Sequence, residues 1–123
     1  PLSTGEAPPA SEEIFEGVPP VVERTIRFRD TIGSLVVDDE EDRRFYGWLD
    51  REIVRILELL EVTVIDDNGG DPVDDRRHEI IDVTSPADGA TVGTIAETVR
   101  AGYRYHDLLV RPQEIIAFEE GTT

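Results

Sequence analysis

Apolar residues recur at steps of three and four between residues 41 and 61, and this stripe constrains the fold more than any other feature. Its members are Phe45, Trp48, Leu49, Ile53, Ile56, Leu57 and Leu60. Side chains at these spacings lie on one face of an α-helix. The pattern therefore predicts a long amphipathic helix from about Glu41 to Glu61.

A second helical pattern precedes this one. From Val21 onward, apolar residues recur at roughly helical spacing with arginines and acids between them, namely Val22, Ile26, Ile32, Leu35 and Val36. The acidic run at residues 38–42 ends this pattern. Acidic side chains are favoured at a helix N-terminus, where they accept hydrogen bonds from free amides and oppose the positive end of the dipole. Residues 21–61 are therefore predicted to form a helical hairpin.

A hairpin of two such helices in one chain cannot cover both apolar stripes well. Pairing two copies into a four-helix bundle would cover them, so we predict a homodimer. The predicted dimer interface consists of the large apolar residues of the hairpin, namely Ile32, Leu35, Phe45, Trp48, Leu49, Ile53, Ile56, Leu57 and Leu60.

Beyond Glu61 the apolar pattern changes from a helical period to that of short strands. Runs separated by turn residues predict strands at residues 62–65, 80–84, 91–100, 103–105, 108–110 and 115–118. Such a series favours a small β sandwich or barrel over residues 62–123, which we call the wing. The predicted fold class is α+β, with an N-terminal helical hairpin that forms a four-helix bundle in a dimer, followed by a small all-β wing.

The overall composition limits the partners of the chain. Residues 1–20 are rich in proline and carry acidic but no basic side chains, which predicts a disordered tail. The net charge of −16 disfavours nucleic acid and anionic membranes and favours basic protein surfaces. The chain has no cysteine and no apolar run long enough to span a membrane, which fits the cytoplasm.

No catalytic arrangement of residues is evident, so we predict that the protein is not an enzyme and has no metal or cofactor site. His78 beside Glu79 is interpreted as structural, because no nucleophile or second base accompanies the pair. The acidic runs at 38–42 and 66–71 lack the ligand spacing of a calcium loop, and a metal-dependent enzyme built on them is only a minor hypothesis. Gly102 is predicted to fill a backbone position that a side chain would disturb, such as a bulge or a positive φ.

The wing carries a series of short motifs in a defined order. They are Val62–Ile65, Val73-Asp74, His78-Glu79, Gly93-Thr94-Ile95, Gly102-Tyr103 and Arg111-Pro112. In order and spacing they resemble the C-terminal β domain of GrpE-type nucleotide exchange factors, the partners of DnaK-class chaperones. The resemblance covers residues 61–118 in motif and residues 25–118 in layout.

The resemblance implies a homodimeric co-chaperone without a cofactor. Its wing would dock on the nucleotide-binding domain of a DnaK-type chaperone and promote ADP release by stabilising the open cleft. By family position, the contacts with the chaperone are Val73, Val99, Arg100, Arg104, Leu108 and Ala117. The alternative is a dimeric scaffold of GrpE fold whose exchange activity has been lost or retuned.

The sequence departs from the family pattern at several positions. Asp75 stands where the family usually has proline, and Ile80 where it has alanine. Glu61 replaces the usual glycine between bundle and wing, which leaves the wing orientation open. Leu108 stands in a hairpin where the family tends to have a basic residue that is thought to touch the chaperone. The long paired helix that usually precedes the bundle is expected to be missing, because residues 1–20 cannot supply it.

Overall fold

A computed structural model of the chain describes residues 15–86 and 89–120. In these residues two helices are followed by six short strands: α1 (Pro20–Gly33), α2 (Glu40–Leu59), β1 (Val62–Ile65), β2 (His78–Thr84), β3 (Ile95–Arg100), β4 (Gly102–Tyr105), β5 (Leu108–Arg111) and β6 (Gln113–Phe118). This order confirms the predicted α+β class. The pairing of two copies into a bundle stays a prediction.

The first helix is shorter than its apolar pattern indicated. Pro20, whose fixed φ suits the first turn, begins α1, and the helix ends at Gly33. The hydroxyl of Ser34 donates to the carbonyl of Thr31 at 2.8 Å and helps to satisfy the helix end. The prediction that Leu35 and Val36 continue the helix is wrong, because the chain leaves the helix after Gly33, a poor helix former. Both side chains lie in the loop between the helices.

The second helix begins where the acidic run predicted. Asp39 is the N-cap residue of α2, and its carboxylate accepts a hydrogen bond from the backbone N–H of Glu41 at 3.2 Å. Glu40, Glu41 and Asp42 occupy the first turn, where the positive end of the dipole favours them. The prediction that this run starts a helix is confirmed.

The junction between α2 and the wing depends on one residue with a left-handed backbone. Glu61 follows the helix with φ 69°. This conformation is the one that glycine adopts most readily, so it agrees with the glycine that the resemblance led us to expect at this position. The Glu61 carboxylate contacts Nε2 of His106 in the β4–β5 turn. The glutamate side chain at this position therefore contacts the wing.

The wing consists of two three-stranded sheets. In the first, β4 lies between β1 and β5 and is antiparallel to both, with Val62 opposite Tyr105. In the second, β6 lies between β2, to which it is parallel, and β3, to which it is antiparallel. The strands lie where the sequence predicted them, with some changes in length. The third strand begins at Ile95 rather than at Thr91, because the chain turns at Gly93 with φ 90°.

The hairpin and the wing share one apolar core. Its buried residues come from α1, α2, β1, β4 and the segment before α1, and they are Phe15, Val22, Ile26, Ile53, Leu57, Val62 and Tyr103. Phe15 is only 8% exposed, and the Arg27 guanidinium lies 4.7 Å from the centre of its ring. The prediction of a disordered tail over residues 1–20 is therefore wrong for its last residues, because Phe15 is anchored by core packing. Residues 1–14 lie outside the described residues.

None of the helices in the described ranges is long and apolar enough to cross a membrane.

Candidate functional site

The predicted contact residues of the wing do not all lie together. Val99 and Arg100 are at the end of β3, beside the C-terminal half of α1. They line a cleft of about 470 Å³, whose other walls include Asp30 and Asp50 from the helices. Val99 is 48% exposed, so it presents an apolar side chain at the rim of this cleft.

The charge of Arg100 is offset within the chain. Its Nη2 lies 3.0 Å from Oε2 of Glu114 on β6, and its Nη1 lies 3.9 Å from Oδ2 of Asp30 on α1. The guanidinium is therefore held in place on the surface rather than extended freely into solvent.

Leu108 and Arg104 belong to the other sheet. Leu108 begins β5 and is 39% exposed. Its Cδ2 lies 3.0 Å from the point where a Cβ on Gly17 would stand, so the segment before α1 passes close to it. Arg104 lies on β4 opposite Thr63 of β1 and is half-buried.

Ala117 is the predicted contact that the structure does not place at the surface. It is 1% exposed on the central strand β6, between Val83 of β2 and Ile95 of β3. Its side chain cannot reach a partner unless the sheet rearranges. The assignment of Ala117 as a contact is therefore corrected, because it lies with Gln113 and Ile115 on the buried face of β6.

The loop that carries Val73 is anchored by the carboxylate of Asp67. Nε and Nη2 of Arg77 donate to its two oxygens at 2.9 and 3.0 Å. Nε2 of His78 lies 2.6 Å from Oδ2 of the same carboxylate. The Arg77 hydrogen bonds, followed by that of His78, hold the pKa of Asp67 below its usual range.

The tautomer of His78 follows from its second contact. The backbone N–H of Asp74 donates to Nδ1 of His78 at 2.9 Å, so Nδ1 acts as the acceptor and the proton lies on Nε2, directed at Asp67. The ring is buried, and its partner is Asp67 rather than Glu79. The structural interpretation of this histidine agrees with that geometry, since both ring nitrogens are used to fix the loop.

Gln113 joins the same loop to β3. Its side chain is completely buried and makes three hydrogen bonds. Oε1 accepts from the backbone N–H of Asp67 at 2.9 Å, while Nε2 donates to the carbonyl of Asp67 at 3.0 Å and to the hydroxyl of Thr98 at 2.8 Å. Because Thr98 precedes Val99, this amide ties the loop of Val73 to the strand of Val99.

Ion pairs between α1 and the wing were missed by the sequence analysis. Arg111 on β5 is 4% exposed, and it donates two hydrogen bonds to the Asp30 carboxylate at 2.8 and 3.0 Å and two to the carbonyl of Ala101. The only sequence signal was the Arg111-Pro112 motif, which did not reveal an acidic partner eighty-one positions upstream.

A second arginine closes the same junction. Arg29 on α1 donates to both carboxylate oxygens of Asp50 on α2 at 2.8 and 3.1 Å, and to the hydroxyl of Tyr103 on β4 at 3.0 Å. Burial lowers the pKa of Arg29, but the hydrogen bonds and charges of Asp50 and Tyr103 outweigh it and raise the pKa overall. Burial also raises the pKa of the Tyr103 phenol. The helices and the wing are thus joined by charged hydrogen bonds as well as by apolar contact.

The apolar stripe of α2 is divided between two faces. Ile53 and Leu57 are buried in the core of the single chain, and Ile32, Leu49 and Leu60 pack against that core. The two buried residues are therefore corrected from dimer contacts to core residues. Phe45, Trp48 and Ile56 are 53%, 50% and 47% exposed.

These exposed residues form a second, outer face of the helix. The rings of Phe45 and Trp48 lie 6.0 Å apart. Leu59, which is 83% exposed and three positions after Ile56, extends this face and was missed by the sequence analysis. Its spacing from Ile56 was the signal that could have found it. Leu35, also predicted at the interface, is 45% exposed in the loop after α1.

Acidic side chains do not converge on a metal site in the described residues. Within residues 15–86 and 89–120, no group of three or more histidine, aspartate or glutamate side chains is arranged to hold a metal ion.

A family model and individual known proteins both match this chain, and both indicate the same family. The model of the GrpE family matches residues 46–116. The protein GrpE of Haloferax mediterranei is 30% identical over 105 residues, which cover 80% of this chain and 41% of that protein. The protein GrpE of Halobacterium salinarum is 32% identical over 119 residues, which cover 89% of this chain and 52% of that protein. The chain spans about half the length, or less, of these relatives.

Proposed function

Because this chain belongs to the GrpE family, we propose that it is a nucleotide exchange factor for a DnaK-type chaperone. The wing binds the nucleotide-binding domain of the chaperone and promotes ADP release by stabilising the open cleft. The observation that carries this proposal is the family match over residues 46–116, which includes most of α2 and nearly all of the wing.

The proposed action requires no bond to be made or broken. The wing accelerates ADP release because it binds the open form of the chaperone more tightly than the closed form. The population shift cannot exceed this difference in binding free energy. Rigid presentation of the contact residues strengthens binding to the chaperone, since less conformational freedom is lost on binding.

The proposed docking residues are Val73, Val99, Arg100, Arg104 and Leu108. The buried bonds of Gln113 support rigid presentation of Val73 and Val99, because they link the loop of the first to the strand of the second. The chain is also proposed to act as a cytoplasmic homodimer. The outer face of α2, formed by Phe45, Trp48, Ile56 and Leu59, supports pairing of two copies because it is apolar and exposed.

Stopped-flow release of fluorescent ADP from the cognate chaperone tests the exchange function. Saturating protein is expected to accelerate release. A Val99→Asp variant is expected to need about tenfold more protein for the same effect, because a charge replaces a proposed apolar contact. Val92→Asp is the matched control, since Val92 is 49% and Val99 48% exposed. Absence of acceleration at saturating protein would reject the function.

The alternative is a GrpE-fold scaffold with lost or retuned exchange. One observation favours it: Leu108, 39% exposed in the β4–β5 hairpin, replaces the basic residue expected to touch the chaperone. A pull-down with the purified chain separates the two proposals. Recovery of no DnaK-class chaperone, together with unchanged ADP release, would favour the scaffold.

A further inference from the structure

The second sheet has an open edge along β2. Strand β2 pairs only with β6, and no other strand of the described residues pairs with its outer side. At the opposite edge, the loop before β2 bonds to the first residue of β3: Gly70 N–H donates to the carbonyl of Ile95 at 2.8 Å, and Ile95 N–H to that of Asp71 at 2.9 Å. No such bond covers the outer side of β2 in the described residues.

The open strand exposes apolar side chains. Ile80, Ile81 and Val83 are 42%, 47% and 46% exposed, and His78 is the only buried residue of the strand. Natural sheets usually protect such edges, because exposed apolar β-branched residues on an unpaired strand favour pairing with another chain. A bulge between Ile80 and Asp82 interrupts the pairing with β6 without covering the edge.

One backbone donor at this edge has only a local partner. The N–H of Val83 bonds to Oδ1 of the neighbouring Asp82 at 2.8 Å. The carbonyl of the next residue, Thr84, accepts from Glu119 at 2.9 Å and so faces β6. Because successive residues of a strand direct their backbone groups to opposite sides, the Val83 N–H faces the open edge. An incoming strand can replace the Asp82 carboxylate as its acceptor.

The charges at the edge identify the kind of occupant. Glu79 and Asp82 are exposed beside the apolar residues of β2, and the whole chain carries a net charge of −16. Pairing two copies of β2 would bring acidic strands of two acidic chains together, which is unfavourable. We propose that the β2 edge binds, by strand addition, an extended polypeptide segment with alternating basic and apolar side chains. This surface uses residues other than the proposed chaperone contacts and goes beyond the proposed function.

Fluorescence anisotropy with a labelled peptide of alternating lysine and valine tests the proposal on the full chain. The peptide is expected to bind, and more weakly as salt rises. A glutamate–valine peptide is expected not to bind. A lysine–valine peptide with two central prolines is expected to bind about tenfold more weakly, because proline removes strand hydrogen bonds. Equal affinity for the proline peptide, or no binding of the parent peptide, overturns the proposal.

Variants of β2 locate the site. Val83→Pro removes the backbone N–H that faces the open edge and is expected to weaken peptide binding about tenfold. Ile81→Thr, which removes apolar surface but keeps β propensity, is expected to weaken it by a similar factor. Val21→Thr, at a valine 51% exposed on α1, is the matched control and should bind normally. If circular dichroism shows that Val83→Pro does not fold, Ile81→Thr decides the outcome.

Amide hydrogen exchange separates the proposed occupant from a second copy. The peptide is expected to protect the outward amides of β2, Val83 among them. Protection that instead grows with protein concentration in the absence of peptide would identify a second copy as the occupant and overturn the proposal.

Discussion

At the scale of single residues, one backbone position at the junction and one in the wing illustrate different constraints. Glu61 has a left-handed backbone, so the position suits glycine although glutamate occupies it. Gly102 has no positive φ, yet it has no room for a side chain. A Cβ there would lie 2.3 Å from the backbone nitrogen of Gln113 and 2.6 Å from the carbonyl oxygen of Arg111. The close approach of β4 to the start of β6 therefore fixes this glycine.

Gly102→Ala is expected to lower the free energy of unfolding by more than about 2 kcal/mol, because backbone atoms must move to admit the methyl group. The control is Gly33→Ala at the end of α1, where the added Cβ has no atom within 4 Å apart from its chain neighbours and the backbone of its own helix. That change is expected to raise stability by up to about 1 kcal/mol, since alanine favours the helix. Urea denaturation of both variants measures the difference. Equal effects would contradict the steric explanation.

The carboxylate of Asp67 makes the folding stability of the chain depend on pH. Its pKa is lowered in the folded state by Arg77 and His78, so its contribution is fully present above the unfolded pKa of about 4 and is lost as pH falls through the folded pKa. Asp67→Asn is expected to reduce stability at pH 7 and to flatten the loss below about pH 4. Thermal unfolding from pH 2 to pH 7 measures both effects. If the variant loses stability at low pH as steeply as the original chain does, other carboxylates are responsible for that loss.

At the scale of elements, charged hydrogen bonds between α1 and the wing hold the two together. Arg111 and Tyr103 contribute from the wing, and Asp30 and Arg29 from the helix. A buried arginine with a carboxylate partner gives the junction a defined geometry, since each bond constrains distance and angle. The wing orientation, which Glu61 left open in the sequence, is set by these contacts and by the shared core.

Arg111→Ala is expected to cost about 3 kcal/mol of stability, because it leaves Asp30 and the carbonyl of Ala101 without their buried donor. Arg55→Ala is the control at a pair with Glu52, whose arginine side chain is 72% exposed. Its expected cost is under about 1 kcal/mol, as for exposed pairs in general. Chemical denaturation gives both values. A small effect at Arg111 would mean that the apolar core alone holds the wing.

At the scale of the whole molecule, apolar surface remains on the described chain after folding. The outer face of α2 has the period of a helix, and the β2 edge has that of a strand. The first suits a helical partner and the second an extended one. Because the chain is acidic, its charge opposes the pairing of two copies through either surface. Association of two copies through the α2 face should therefore strengthen as salt screens this repulsion.

Trp48→Glu is expected to shift the proposed dimer toward the monomer, with a dissociation constant raised at least about tenfold, because it places a charge in the apolar face. Val99→Glu, on the wing, should leave the association unchanged. Sedimentation velocity over a range of concentrations measures both. An intact dimer in Trp48→Glu would place the interface elsewhere in the molecule.

Much of the fold was determined by local patterns. The periods of apolar residues predicted both helices and all the strands, and the acidic run predicted the start of α2 at Asp39. Element ends were less well determined, as Leu35 and the start of β3 show, because turns at Gly33 and Gly93 depend on backbone angles that neighbouring residues do not fix. Within the candidate site, the resemblance predicted Val99, Leu108 and Ala117 alike as contacts, and only the structure separated the exposed Val99 and Leu108 from the buried Ala117.

The sequence by itself determined the α+β class, the order of the elements and the family, because period and short motifs are properties of neighbours along the chain. The tertiary structure alone decided which half of the α2 stripe is core, which partner His78 uses, and how Arg111 meets Asp30. These depend on contacts between residues far apart in the chain, and such contacts arise only when the hairpin and the wing pack on one another.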